Sequence, residues 1–139
     1  VSTALKVVTD LERIGDHASD IAELILRIKS EHAYHIVKHL PVMAASANAM
    51  VHDAIEAFIN QDLDSAMEII ERDDEVDTLF NQVKDDVIHL LKSSPDQADQ
   101  GIDLLMVAKY LERIGDHAVN VCEWTQFSKT GALKNVRIM

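Results

Sequence analysis

The sequence LERIGDHA occurs twice in this chain, first at residues 11–18 and again at residues 111–118. All eight positions are identical, and the similarity extends outward, with Leu5 matching Leu105 and Glu23 matching Glu123. The two copies lie 100 residues apart, which is longer than the period of the usual solenoid repeats. We therefore interpret the pair as the trace of a duplicated domain.

Both copies lie within stretches whose apolar residues have the spacing of an amphipathic helix. Apolar residues around the first copy alternate spacings of three and four, a pattern that one face of a helix buries: Val7, Leu11, Ile14, Ala18, Ile21, Ile25 and Ile28. The chain has only 4 Gly, 2 Pro and 4% aromatic residues, which argues against strands. The pattern predicts an all-α protein, an antiparallel helical bundle with short connections.

Four long amphipathic helices are predicted. The first carries the first copy of the repeat, and the second begins near Ala33 or after Pro41 and ends near Asn60. The third follows Asp62, a suitable N-cap, and continues to the Ser-Ser-Pro stretch at residues 93–95. The fourth carries the second copy and ends before Gly131.

The position of the repeat predicts the domain organisation. If the repeat unit is three helices with LERIGDHA on the last, residues 1–30 are the final helix of a first, incomplete repeat. Residues 33–128 then form a complete three-helix repeat, and residues 129–139 form a C-terminal tail. Since the chain also opens on Val1 and not on Met, we expect it to be a fragment of a longer protein. An incomplete bundle leaves an apolar seam open, so we expect a homo-oligomer, with the first helix exchanged between molecules.

The charge balance excludes several classes of function. The chain has 24 acidic and 13 basic residues, a formal net charge of −11. A surface this acidic repels phosphate backbones and anionic membranes, so nucleic acid is not an expected partner. No apolar run approaches the roughly 20 residues of a membrane helix, so no direct membrane insertion is expected. A single cysteine, Cys122, forms no internal disulfide, and a cytoplasmic location is predicted.

Acidic residues recur at helical spacing in the repeated stretches. Glu12 and Asp16 lie four residues apart and so share one helix face, which Asp20 extends by a turn. The second copy repeats this spacing with three further polar residues: Glu112, Asp116 and Asn120.

The third helix carries an acid inside its apolar seam. Asp73 stands where the seam requires an apolar residue, and Asp77 follows one turn later. A buried carboxylate is costly unless a positive group meets it, and three acidic stripes outnumber Arg13 and Arg113. A bound cation would solve this problem, because helical bundles build metal sites from inward carboxylates. The alternative is a solvated acidic face.

Other candidate residues are less specific. His17 and His117 follow the stripe aspartates and point about 100° away from them, which favours polar surface or cap residues over metal ligands. A second histidine stripe either binds zinc or forms a solvated face: His32, His35 and His39. Gly15 and Gly115 indicate either close approach of a neighbouring group or a tolerated surface position. Cys122 is predicted to be a core residue.

These motifs resemble those of the PhoU family, the cytoplasmic regulators of bacterial phosphate uptake. The resemblance rests on the doubled LERIGDHA stretch and on RDDEVDTL at residues 72–79, which is similar to the family's middle-helix motif. It implies two three-helix repeats and metal ions, iron or zinc, held by the acidic motifs. One implied site comprises Asp73, Asp77, Glu112, Asp116 and Asn120, and a second, whose middle-helix half is absent from this sequence, comprises Glu12, Asp16 and Asp20.

The same resemblance implies a regulator and not an enzyme. Its implied partners are the ATPase of the phosphate ABC transporter, PstB, and the sensor kinase PhoR, with negative regulation of the phosphate regulon when phosphate is plentiful. Two alternatives stay open. One is a carboxylate-bridged dimetal enzyme, although no Glu-x-x-His ligand pair of the ferritin type is present in the sequence. The other is a metal-free helical scaffold.

Overall fold

The computed structural model describes residues 2–130. This part of the chain consists of helices and short connections, so the predicted all-α fold class is confirmed. The helices, which we number along the chain, are α1 (Ser2–Arg27), α2 (Glu31–Ile36), α3 (His39–Asn60), α4 (Leu63–Glu71), α5 (Asp73–Ser93) and α6 (Ala98–Thr130). A 3₁₀ turn, Pro95–Gln97, connects α5 to α6. None of the helices within residues 2–130 combines the length and apolar character needed to cross a bilayer.

The helix starts follow local side-chain chemistry. The Asp62 carboxylate accepts a hydrogen bond from the backbone N–H of Ser65 at 3.1 Å, which confirms Asp62 as the N-cap of α4. This bond and a second one from the Ser65 hydroxyl lower the pKa of Asp62. Ser30 caps α2 in the same way, its hydroxyl accepting from the N–H of Ala33. The caps fix where the chain turns between α1 and α2 and between α3 and α4.

Two of the four predicted helices are divided in the structure. The third is interrupted at Arg72, whose N–H donates to the Ile69 carbonyl three residues back, a tightened turn that ends α4. Ile69 and Val76 are both buried on either side of the break, so the apolar period continues through it. Periodicity therefore predicted one helix where there are two. The short α2 likewise precedes α3, in which Pro41 lies in the first turn.

The predicted tail begins inside the last helix. α6 continues to Thr130, two residues beyond the predicted end of the repeat at residue 128. The rest of the predicted tail, including Gly131, lies outside the described residues. The helix α1 ends at Arg27, within the predicted segment 1–30.

The long helix α6 lies at the centre of the bundle. It packs against α1 on one side and against α3, α4 and α5 on the other. The buried core accordingly includes residues on both sides of this helix, among them Leu104, Val107, Ala108, Ala118, Val121 and Cys122. A helix buried against several neighbours carries apolar residues around most of its circumference. The acidic residues of α6 are therefore held close to packed helices.

The helices α1 and α6 are antiparallel. Arg27 near the end of α1 forms an ion pair of 2.8 Å with Asp103 near the start of α6. At the opposite end, the Lys6 ammonium lies 6.0 Å from the Trp124 ring. α1 leaves much of its surface in solvent, with Leu5 65% and Leu26 80% exposed. The seam predicted on α1 is buried at its ends, at Val7 and Ile28, whereas Ala18 and Ile25 within it are exposed.

Truncation of Leu90 is expected to destabilise the bundle. The Leu90 side chain is fully buried, and its Cδ2 atom approaches the position that a Cβ on Gly101 would occupy. Leu90→Ala should lower the free energy of unfolding by about 2–5 kcal/mol because a cavity remains between α5 and α6. Ile59, which is 72% exposed on α3, provides the control, since Ile59→Ala should lower the free energy of unfolding by clearly less than Leu90→Ala. Urea unfolding followed by circular dichroism compares the two, and equal losses would contradict this packing.

Candidate functional site

Four acidic residues predicted from the sequence come together between α5 and α6. Asp73 and Asp77 lie on α5, Glu112 and Asp116 lie on α6, and we call these four residues the acidic cluster. Their charges act on one another: Asp77, Asp116 and Glu112 all raise the pKa of Asp73. Glu112 in turn raises the pKa of Asp77 and of Asp116. Four carboxylates that repel one another therefore occupy one region of the bundle.

Asp73 is the most perturbed member of the acidic cluster. It opens α5 and is half-buried, as its place in the apolar seam predicts, whereas Asp74 and Glu75 face solvent. Its Oδ1 atom is buried and has no hydrogen-bond partner. The pKa of Asp73 is raised from 3.8 to about 6. The largest cause is burial, followed by the negative charges of Asp77 and Asp116. A buried oxygen without a donor is a position that a bound cation would satisfy.

The other acids of the cluster are nearer to solvent. Burial by the packed helices, followed by the charge of Glu112, raises the pKa of Asp77 and of Asp116, although both residues remain accessible. One cation lies at the rim: the Lys109 ammonium donates to Glu112 at 2.9 Å. It lowers the pKa of Asp77 and of Asp116 but does not outweigh burial and repulsion. The cluster keeps a net negative charge that attracts cations.

The two repeated glycines have different environments. A Cβ added to Gly115 would lie 3.7 Å from Val76 Cγ1 and 3.9 Å from Asp73 Oδ1, so this glycine leaves room directly beside the unpaired oxygen. A Cβ added to Gly15 would meet nothing within 4 Å. The contacts around Gly115 are ordinary van der Waals distances, so this buried glycine lies beside Asp73 without an approach that would exclude a Cβ. Gly15 has the tolerated surface position that the sequence left open.

The donor set of the cluster suits a hard or borderline cation, since it consists of carboxylate oxygens. Within residues 2–130, however, no three carboxylates of the cluster have oxygens that lie within 4.8 Å of one another. A group that does meet this distance, which sequence reasoning missed, is His52, Asp53 and Glu56 on α3. It is mostly exposed, and the second oxygen of Asp53 accepts from Arg72 at 2.8 Å. The signal for it was the i, i+4 spacing of His52 and Glu56.

The remaining predicted ligands lie elsewhere. The side-chain amide of Asn120 donates to Asp10 on α1 at 3.2 Å, so it is directed towards α1. Glu12 and Asp16 are exposed on α1, and Asp20 lies 4.0 Å from His17. The structure thus brings together four members of the first predicted site, whereas the second forms a stripe on a largely exposed helix.

Arg13 and Arg113 are not among the charges that shift the pKa of Asp73, Asp77 or Asp116. The Arg113 guanidinium lies 5.6 Å from the Tyr110 ring centroid, and Arg13 is exposed. Arg72, which the sequence did not single out, pairs instead with Asp53 on α3. Its position next to Asp73 therefore does not provide that carboxylate with a hydrogen bond. In the folded chain the charges that act on Asp73 are therefore acidic, as the sequence led us to expect.

The histidines are arranged differently from the expectation. His17 and His117 were expected at the polar surface, and their side chains are only 14% and 23% exposed, with ring centroids 5.6 Å apart. Of the second stripe, His39 pairs with Asp86 at 2.7 Å and His32 contacts Ser94, so these rings have separate partners. Cys122 is buried as predicted, and burial raises the pKa of its thiol to about 12, which makes it inert at neutral pH.

Comparison with known proteins identifies clear relatives. The family model of the PhoU domain matches residues 1–25 and 40–125. A phosphate-specific transport system accessory protein PhoU homolog from Clostridium acetobutylicum is 40% identical over 131 residues, 94% of this chain and 60% of that protein. A homolog from Thermotoga maritima is 34% identical over 138 residues, 99% of this chain and 59% of that protein.

Solved structures show the same fold. The crystal structure of the phosphate transport system regulatory protein PhoU from Streptococcus pneumoniae superposes with a TM-score of 0.80 at 28% identity, over 94% of this chain and 62% of that one. PhoU from Pseudomonas aeruginosa gives a TM-score of 0.80 at 27% identity, over 95% and 67% of the two chains. The chain spans about 60% of the length of the first two sequence relatives.

The raised pKa of Asp73 predicts how the stability of metal-free protein depends on pH. The folded chain keeps this proton up to about pH 6, whereas the unfolded chain loses it near 3.8. The folded state then binds more protons than the unfolded state, so the free energy of unfolding falls as pH rises between these two values. Asp73→Asn should flatten this fall and raise stability at pH 7, as measured by urea unfolding across the range. The exposed Asp85→Asn is the control, and equal slopes for both variants would contradict the burial of Asp73.

Proposed function

The chain belongs to the PhoU family, and on that premise we propose that it is a metal-binding regulator of phosphate transport. Its relatives are named as accessory or regulatory proteins of phosphate transport systems. The observation that carries the metal part of the proposal is the unpaired, buried Oδ1 of Asp73 among three further carboxylates. A cation at this position would supply the missing partner and remove the repulsion among the acids.

The acidic cluster would hold the ion through residues of two helices. Asp73 and Asp77 would bind from α5 and Glu112 and Asp116 from α6, so the ion would also tie these helices together. Oxygen ligands accept iron and zinc, the two metals that the family resemblance implied. Asn120 is directed towards Asp10, which makes it a weaker candidate ligand than the four carboxylates.

The exposed stripe of α1 supports a second part of the proposal. Glu12, Asp16 and Asp20 would bind metal only with acids from another helix, by analogy with the cluster on α5 and α6. The same helix exposes Leu5 and Leu26, which suits contact with a neighbouring molecule. We therefore include self-association through α1 in the proposed function.

Regulation would act through protein contacts and not through catalysis. The cysteine is buried and inert, and the acids of the cluster have no histidine ligand of the ferritin type to accompany them. The proposed partners are the ATPase of the phosphate ABC transporter, PstB, and the sensor kinase PhoR. Binding to them when phosphate is plentiful would keep the phosphate regulon off in the cytoplasm.

Metal content tests the acidic cluster. Asp73→Ala combined with Asp116→Ala should lose most of the iron or zinc that copurifies with the protein, because each helix then contributes one carboxylate fewer. Asp85→Ala combined with Glu68→Ala removes two charges from exposed positions of α5 and α4 and should retain the metal. Elemental analysis of protein purified without a nickel column makes the measurement. Equal metal content in the two double variants would reject the site.

Thermal unfolding separates the alternatives. A metal bound only to the folded state raises stability, by about 2.7 kcal/mol at a free concentration one hundred times Kd. A chelator should therefore lower the melting temperature of the wild type but not that of the Asp73→Ala, Asp116→Ala variant. A metal-free scaffold predicts no effect on either. Turnover of phosphate esters or oxygen by the metal-loaded protein would favour an enzyme instead.

Direct binding tests the proposed partner. The purified ATPase subunit of a phosphate transporter from the same organism should bind this chain in a biolayer interferometry experiment with the metal-loaded protein. Loss of the acidic cluster should weaken this binding if the metal shapes the contact surface. The ATPase subunit of an unrelated ABC importer is the control, and equal binding to both would contradict a phosphate-specific role.

A further inference from the structure

We propose that His52, Asp53 and Glu56 bind a divalent transition-metal ion of the zinc type on the surface of α3. Together these residues offer one imidazole nitrogen and two carboxylate oxygens from the second half of this helix. An imidazole combined with carboxylates is a donor set that suits zinc and its neighbours in the first transition row. The site is separate from the acidic cluster, which lies between α5 and α6 and offers oxygen donors only.

The spacing of the three ligand atoms fits a metal ion. His52 and Glu56 are four residues apart and therefore share one face of α3. Nδ1 of His52 lies 3.6 Å from Oε2 of Glu56 and 3.7 Å from Oδ1 of Asp53, and all three ligand atoms lie within 4.8 Å of one another. A tetrahedral ion about 2.1 Å from each ligand holds neighbouring ligand atoms about 3.4 Å apart. Small side-chain rotations thus complete the site without movement of the backbone.

The carboxylate of Asp53 is supported from a second helix. Its Oδ2 atom accepts a hydrogen bond of 2.8 Å from the guanidinium of Arg72, at the break between α4 and α5. The other oxygen, Oδ1, is the atom that approaches His52. Carboxylates that bind a metal are commonly hydrogen-bonded in turn by an outer residue. Arg72 thereby orients Oδ1, and its positive charge is paired with the carboxylate that it supports.

A cavity beside the site favours a cation. It has a volume of about 240 Å³ between α3 and α4, and within residues 2–130 its only basic lining residue is Arg72. Four acidic residues line the same cavity: Asp53, Glu56, Asp62 and Glu68. This excess of negative charge raises the local concentration of cations. The cavity also leaves room for a water molecule as the fourth ligand of a tetrahedral ion.

The exposure of the site determines how it would be used. The His52 side chain is 73% exposed and that of Glu56 is 63% exposed, so an ion can enter and leave directly from solvent. Such a site binds metal reversibly and is filled according to the free metal concentration. A bound ion would join two successive turns of α3 and, through Asp53 and Arg72, would be connected to the start of α5.

The experiment uses the whole 139-residue chain labelled with ¹⁵N and titrated with Zn²⁺ alone. Long-range ¹H–¹⁵N spectra report each imidazole nitrogen, and we expect Nδ1 of His52 to shift while the nitrogens of the exposed His89 do not. Glu56→Gln should raise the zinc concentration at half-maximal shift by about 10-fold or more, since a direct ligand matters at least as much as an outer support. Glu31→Gln, at an exposed position of α2, is the matched control and should leave that concentration unchanged.

A variant of the acidic cluster separates this site from the proposed function. Asp73→Asn combined with Asp77→Asn removes two acids of the cluster and should leave the zinc response of His52 unchanged, so either site can fail without the other. A wild-type His52 whose Nδ1 does not respond to Zn²⁺ would overturn the proposal and reduce the three side chains to an ion-paired group. Equal half-maximal concentrations for Glu56→Gln and Glu31→Gln, with both folded by circular dichroism, would overturn it as well.

Discussion

The packing of α6 between α1 and the α3–α5 layer is the constraint on which the rest of this structure depends. This helix has neighbours on both sides, so its residues are buried around most of its circumference and any polar group on it must be matched by a neighbour. Its charged residues meet that requirement in different ways. Asp103 pairs with Arg27, Glu112 with Lys109 and His117 with Asp10, whereas Asp116 faces other carboxylates.

The duplicated motif has two environments because only one copy is surrounded. On α6, Gly115 approaches Asp73, and Glu112 and Asp116 meet the acids of α5. On α1, Gly15 faces open space, and Glu12 and Asp16 are in solvent. The same eight residues therefore give a perturbed, repelling cluster in one place and an ordinary polar helix face in the other. Burial, which strengthens electrostatic interactions, makes this difference.

Much of the fold follows from periodicity, and the failures have local physical causes. Spacings of three and four predicted the helical bundle and Asp73 as an acid inside a seam, and residue type predicted Asp62 as an N-cap, because these features depend on neighbours along one helix. The break at Arg72 was missed because Ile69 and Val76 keep the apolar period through it. The partial burial of His17 and His117 was missed because it arises from the crossing of two helices that carry copies of the repeat 100 residues apart in sequence.

The sequence by itself determined the all-helical class, the duplication and the spacing of the acids. Helical periodicity and acid spacing are relations between residues within a few turns, and the duplication is seen by comparing two stretches of the sequence. The grouping of the acids was implied by the family resemblance alone, and only the tertiary structure decided which of them lie near one another. It placed Asp73 and Asp77 beside Glu112 and Asp116 and directed Asn120 to Asp10. It also left one oxygen of Asp73 without a donor. These outcomes depend on how α6 is rotated against its neighbours, which is settled by the packing of several helices at once and is not encoded in the period of any single helix.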